Sequence, residues 1–411
     1  MSRSLPSKPS ITHLRNEAKS LHKAHSAGDK RCCETLALLH RFNSLSAKEI
    51  LSADLALREA QHALALDYGF RSWRDLTLSV ERTVSIAGAT RRLEEFQWYP
   101  HHVSQLGCII GALDYLGVGV SDSWLFGASG YAFMIAIEDG VCPSSVTAWN
   151  YGSMHHRLRN VGCEVECLMF ANKTEEDFES KQETAWLSTR RMIDERLPCF
   201  GWCWEPEPEF YVFNAYDQDA YYYSGVKTEN ARMPWRKLGV DMCGSIEMFT
   251  VKPCDPADDA KVVKDSLEFA VDHATAPGKY AGPENKTGVH AYDTWMKALR
   301  ENTADAYGTA FNAVVWAECR RHAVGFLQEA RSRLDNKHQP LFDEAIRHYE
   351  AMRERLHEVS DMFPYEDTTD EQRNALMLDN SLRDQTIERL QLARDAEEAG
   401  VRSLAGIARK L

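Results

Sequence analysis

Apolar positions recur at helical spacing in three parts of the chain. In residues 11–78, Leu14, Ala18 and Leu21 form one stripe, and Leu57, Ala60 and Leu64 form a second. Asp54 is placed to cap that second helix and Gly69 to end it. In residues 104–116, Ile109, Leu113 and Leu116 fall at i, i+4 and i+7, which marks a core-facing helix. Gly107 and Gly111 lie one turn apart and leave bare backbone on one side of it. The stretch LFGASGYAF (125–133) then reads as a glycine-rich turn that lets backbone approach a pocket. From 290 the chain is nearly all helix. Phe311, Val315, Cys319, His322 and Phe326 make one stripe. Leu341, Ala345, Tyr349, Met352, Leu356 and Val359 make another, with Pro340 suited to a first turn.

Between these lies a mixture of strand and helix. A helix is predicted over 144–160, ended by Gly162. CEVECLMF (163–170) alternates as a strand, and a long helix follows over 175–196. The segments around Cys199–Cys203, EFYVFNAYD (209–217) and GSIEMFTV (244–251) read as strands. DAYYYSG closes a hairpin with the second of them. Asp255-Pro256 opens a helix through Val271, and 276–288 is loop by composition. The expected organisation is a helical module over 1–80, an α+β domain over 95–300 and a helical segment over 301–411.

Charge and cysteine usage narrow the function. The net charge of −13 opposes duplex nucleic acid or an anionic membrane as partner and favours a neutral or cationic ligand. No run of 18 apolar residues occurs, and the first 20 residues lack an apolar signal core. Eleven scattered cysteines fit reduced thiols in a cytoplasmic protein better than a disulfide framework.

Candidate chemistry centres on Cys108. Near the start of a helix, unpaired backbone N–H groups and the positive end of the macrodipole favour a thiolate. A metal is not expected. Cys163 and Cys167 are four apart in a strand, roughly 13 Å at about 3.3 Å per residue, too far to share one ion. Cys199 and Cys203 fail likewise, and no cofactor motif is present: 125–133 lacks the Lys-Ser/Thr of a phosphate loop, and no G-x-S-x-G occurs. Glu205-Pro206-Glu207-Pro208-Glu209 is a stiff acidic connection able to attract an amine. A base for Cys108 is not assigned by spacing; His101, His102, His155, His156, His273 and His290 are the histidines to consider.

The order of these pieces resembles the papain-like cysteine peptidase and acyltransferase superfamily, and more narrowly the butirosin biosynthesis protein H N-terminal domain family of bacterial biosynthesis. The carrying residues are His102, Gly107-Cys108, Leu113, Tyr115-Leu116-Gly117, Ser121, Leu125-Phe126-Gly127, Gly130 and Phe133, then Pro198-Cys199 and Tyr216-Asp217. The helical pattern of 11–78 also looks like the leader ahead of some ankyrin-repeat proteins, although no 33-residue period follows. The resemblance implies a cysteine-bearing helix packed on an antiparallel sheet, flanked by helical N- and C-terminal segments. It implies acyl transfer or amide hydrolysis through a Cys108 thioester, on a small or peptide-like substrate or a carrier-linked acyl donor. Gln105 would help hold the oxyanion, His102 would be the base, and Asp217 would orient it or cap. Phe126, Gly127, Gly130, Glu209 and Tyr216 would line the cleft. One departure stands out: Glu209 occupies the place where relatives carry the catalytic histidine, and Ala215 replaces a glycine. A carboxylate accepts a thiol proton poorly unless burial raises its pKa. The alternative is therefore a protein that has kept the cleft to bind a ligand or partner and lost the chemistry.

Overall fold

The computed structural model describes residues 3, 11–73, 76–77, 91–203, 205–242, 244–276 and 278–411. Residues 74, 75 and 78 of the predicted 11–78 stretch lie outside them. The chain divides into two compact units, residues 1–91 with 216–219, and residues 92–215 with 220–411.

In the first unit, α1 (Ile11–Ser26), α2 (Ala47–Ser52) and α3 (Leu57–Asp67) surround two apolar clusters. Leu14 and Ala18 of the predicted stripe meet Leu64 and Tyr68 in one. Cys32, Cys33, Leu36, Phe42, Ile50 and Ala63 fill the other. The cap of α3 is not Asp54: the Glu59 carboxylate accepts the Ala56 N–H at 2.9 Å. Gly69 ends the helix in the left-handed region at φ +81°, as its sequence position predicts. His22 and His25 are structural, with ring nitrogens 3.0 and 2.8 Å from the Leu55 and Ile50 carbonyls.

The second unit is mixed helix and antiparallel sheet. It begins with α4 (Ser104–Tyr115) and α5 (Asp122–Ser129), then the short strand β1 (Ala136–Glu138) and α6 (Tyr151–Leu158). The glycine-rich stretch is thus mostly helix and not turn. Ser121 caps α5 by accepting the Trp124 N–H, and only Gly130, at φ +92°, breaks the helical path. The helix predicted over 144–160 is cut short. Trp149 bridges to Ala281, and the Asn150 side chain caps α6 by accepting the Ser153 N–H.

The main strands of the larger sheet are β2 (Cys163–Asn172), β3 (Cys199–Cys203), β4 (Glu209–Tyr216), β5 (Ala220–Gly225), β6 (Thr228–Pro234) and β7 (Ser245–Pro253). The sheet order is β2-β7-β3-β4-β5-β6. The pairs β2–β7, β3–β4, β3–β7 and β5–β6 are antiparallel. β6 was not expected: none of its residues is buried, each being half-buried or exposed, so no apolar period marks it. β8 (Asn285–Thr287) pairs with β1 inside the segment read as loop. Helix α7 (Phe178–Asp194) packs on β2, and α4 packs on β3 and β7.

The helices α8 (Asp259–Thr275), α9 (Val289–Glu301), α10 (Ala306–Arg333), α11 (Gln339–Met362), α12 (Asp370–Leu378) and α13 (Asn380–Ala408) complete this unit. The C-terminal helices share its core. Fully buried Arg320 of α10 donates to the Ala132 and Met134 carbonyls and pairs with Glu397 of α13 at 2.7 Å. Tyr292 of α9 donates to the same carboxylate. Among the described residues no helix is long and apolar enough to cross a membrane.

Candidate functional site

Cys108 is the fifth residue of α4, because the helix opens at Ser104. It therefore lies beyond the first turn, where the terminal N–H groups and dipole act most strongly. The bare backbone predicted at Gly107 and Gly111 is used for packing. A Cβ on Gly111 would lie 1.9 Å from the Gln97 carbonyl oxygen, and one on Gly107 would lie 2.3 Å from that of Tyr99. The segment 97–99 thus runs directly against the helix and carries the chain to His101 and His102.

Cys108 is fully buried, with no hydrogen-bond partner among the described residues. Burial is the main cause that pushes its thiol well above the ordinary value, and the negative charge of Glu209 adds to the effect, followed by Cys203. The thiol is neutral, not a preformed thiolate.

Ser104 lies one turn before Cys108 on the same helical face. Its hydroxyl donates to Glu209 Oε2 at 2.5 Å and accepts the Phe210 N–H at 3.0 Å. Glu209, the first residue of β4, is half-buried as a residue, but desolvation of its carboxyl pushes the pKa up to about 7. The Ser104 hydrogen bond opposes that rise and the charge of Glu207 adds to it. The residue that stands in place of the expected histidine therefore titrates where a histidine would.

Gln105 is 2% exposed, and neither polar atom of its side chain has a hydrogen-bond partner among the described residues. An unpaired buried amide costs on the order of 1–3 kcal/mol, so Gln105 keeps a donor and an acceptor with unmet hydrogen-bonding capacity. His102 is placed elsewhere. Its ring meets Tyr365 edge-on at 6.3 Å, its backbone N–H donates to Glu318 Oε2, and it is not among the groups that act on the Cys108 thiol. Asp217 follows the far end of β4, roughly 25 Å along the strand from Glu209 at about 3.3 Å per residue. Its carboxylate accepts the Asp219 N–H within the turn. Tyr216 is fully buried.

Gly127 and Gly130 serve packing. A Cβ on Gly127 would sit 2.1 Å from the Phe326 ring of α10, and one on Gly130 would meet Phe269 and Arg157. Phe126 stacks on His322 with ring centroids 4.0 Å apart.

That contact leads to a second cluster, which cysteine spacing could not reveal. One atom each from His101, Glu318 and His322 lie within 4.8 Å of one another. His101 Nδ1 is 3.1 Å from Glu318 Oε1, and its Nε2 is 3.3 Å from Asp122 Oδ2. His322 Nδ1 is 3.1 Å from Ser123 Oγ. Arg321 reaches both Glu318 Oε1 and His322 Nε2 at 3.2 Å. The available sequence signal was Glu318 and His322 at i, i+4 in ECRRH, with His322 read as a core position.

No protein-family model matches the chain, and no curated protein matches it.

Proposed function

We propose that this chain is a papain-like protein that transfers an acyl group, or hydrolyses an amide, through a Cys108 thioester with Glu209 as the proton-transfer group. The observation that carries this reading is the Glu209 carboxyl, raised to about 7 beside the Cys108 thiol and held by Ser104. The helix bearing Cys108, packed on an antiparallel sheet, supports the papain-like assignment.

In this reading the thiol needs no ion pair with imidazole. As Cys108 Sγ attacks the acyl carbon, the thiol proton passes to the Glu209 carboxylate, as a serine hydroxyl proton passes to its base. Gln105 Nε2 donates to the oxyanion. Collapse of the tetrahedral adduct breaks the bond to the leaving group, which takes the proton from Glu209. An incoming amine or water then attacks the thioester, gives a proton to Glu209, and Cys108 leaves and recovers it. The acidic connection 205–209 favours an amine as acceptor.

Incubation with an activated acyl donor such as 4-nitrophenyl acetate, followed by peptide mass mapping, tests the reading. Acetyl on Cys108 ahead of the other thiols supports it. Acetylation spread over the exposed thiols, with Cys108 unmodified, contradicts it.

One observation favours a second reading, a binding protein without thiol chemistry. Cys108 is fully buried and its pKa is raised, the reverse of a thiolate-based site. In that reading Glu209 and the unpaired Gln105 amide recognise an amine-bearing ligand.

A further inference from the structure

We propose that His101, Glu318 and His322 form a binding site for one divalent transition-metal ion of the zinc class, separate from the Cys108–Glu209 pair. Two of the three come from one face of α10 at i, i+4, and the third comes from the segment that leads into α4. Two imidazoles and one carboxylate are a donor set suited to such an ion, with a fourth position left for water or a substrate atom.

The outward atoms of all three side chains are already anchored. His101 presents Nδ1 to the cluster while Nε2 faces Asp122 Oδ2 at 3.3 Å. His322 presents Nε2 while Nδ1 faces Ser123 Oγ at 3.1 Å. Glu318 presents Oε1 while Oε2 accepts the His102 backbone N–H at 2.9 Å. Metal-ligating histidines characteristically donate their other N–H to a carboxylate or a similar acceptor, and ligating carboxylates are themselves hydrogen-bonded. A buried structural network would not need every ligand atom to face inward and every partner atom to be fixed from outside.

Ligand atoms on a tetrahedral ion with bonds of about 2.0–2.1 Å lie roughly 3.3 Å apart; His101 Nδ1 and Glu318 Oε1 are already 3.1 Å apart, and all three ligand atoms lie within 4.8 Å of one another, so a small inward shift of the side chains completes the set. A cation already occupies this corner. One guanidinium nitrogen of Arg321 lies 3.2 Å from both Glu318 Oε1 and His322 Nε2. The His101 and Glu318 side chains are 7% and 8% exposed, whereas Arg321 is 58% exposed. Arg321 can swing into solvent at small cost and leave the inward atoms to an ion. The Phe126 ring stacked on His322 supplies an apolar wall that keeps the imidazole in place. Bound metal would tie the entry of α4 to α10.

The test uses the full chain, stripped with a chelator and kept reduced, titrated with Co²⁺ and then Zn²⁺ and followed by the visible absorption of bound Co²⁺. One saturable equivalent is expected, displaced by Zn²⁺ and lacking thiolate charge-transfer absorption. Asp122→Asn, at a half-buried position, weakens binding about 10–100-fold, and His322→Asn weakens it more. Arg321→Ala leaves binding unchanged or tightens it, because it removes a competing cation. Thermal melts of the metal-free variants confirm that each is folded. The proposal is overturned by absence of saturable binding, by thiolate absorption, or by binding that survives in both Asp122→Asn and His322→Asn. Weakening by Arg321→Ala as large as that by His322→Asn also overturns it, since the cluster would then be a structural network in which Arg321 is a member.

Discussion

Ser104 and Glu209 share a hydrogen bond of 2.5 Å, with the serine hydroxyl as donor, and the same hydroxyl accepts the Phe210 N–H. The contact ties the first residue of α4 to the first residue of β4. It also shows how Glu209 is presented: a desolvated carboxyl, its pKa pushed up to about 7, held by a serine that lies one helical turn before Cys108.

The raised carboxyl has a cost for folding. A carboxyl whose folded pKa lies above its unfolded value binds more protons in the folded state. Its contribution to stability is therefore full below the unfolded value near 4.5 and is lost as pH rises through about 7. Glu209→Gln, which cannot ionise, is expected to stabilise the chain at pH 8 by on the order of 1–3 kcal/mol relative to its effect at pH 4.5. Denaturant unfolding of both proteins at the two pH values measures this. An unchanged difference would mean that Glu209 is well solvated.

Gly111 is set by contact, not by helix propensity, which would favour alanine by about 1 kcal/mol. A Cβ there meets the backbone oxygen of Gln97 at 1.9 Å, and backbone cannot rotate aside as a side chain can. Gly111→Ala is expected to destabilise by about 1–3 kcal/mol or more, as overpacking does, read as a shift in the denaturant midpoint. Stabilisation instead would show that the segment 97–99 does not lie against α4.

The fully buried Arg320–Glu397 pair yields a third expectation. Glu397→Ala leaves a buried guanidinium without its anion and should cost about 3–5 kcal/mol. Replacing both, with Met at 320 and Leu at 397, should recover most of that loss, because the desolvation cost disappears together with the attraction. A double-mutant cycle by chemical denaturation checks the coupling, and additive losses would contradict it.

Helical periodicity made most of the long helices legible, as with Phe311 to Phe326 and Leu341 to Val359, because their buried stripes span several turns. It failed where burial carries no period. Strand β6 has only half-buried and exposed positions. The stretch 125–133 reads as a turn because of its glycines, whereas Gly127 lies within a helix and is there to admit the Phe326 ring. Within the candidate site, Cys108 and Glu209 stood out through their positions, but the pKa of Glu209 depends on desolvation that no linear pattern reports. His101 and Glu318 are 217 residues apart, so only the fold joins them. The expectation of an activated thiol failed for a local reason: α4 starts four residues before Cys108, and the enclosing core raises the thiol pKa.

If Glu209 moves the proton of Cys108, its titration must appear in the pH dependence of Cys108 acylation. With 4-nitrophenyl acetate, the acylation rate in the intact chain should rise with pH through an inflection near 7, the titration of Glu209. In Glu209→Gln the rate should fall about 100-fold or more, within the usual range for general-base catalysis, and that inflection should vanish. Cys108→Ala should abolish the adduct in either background. An inflection near 7 that persists in Glu209→Gln, or a rate unaffected by that substitution, would contradict the account.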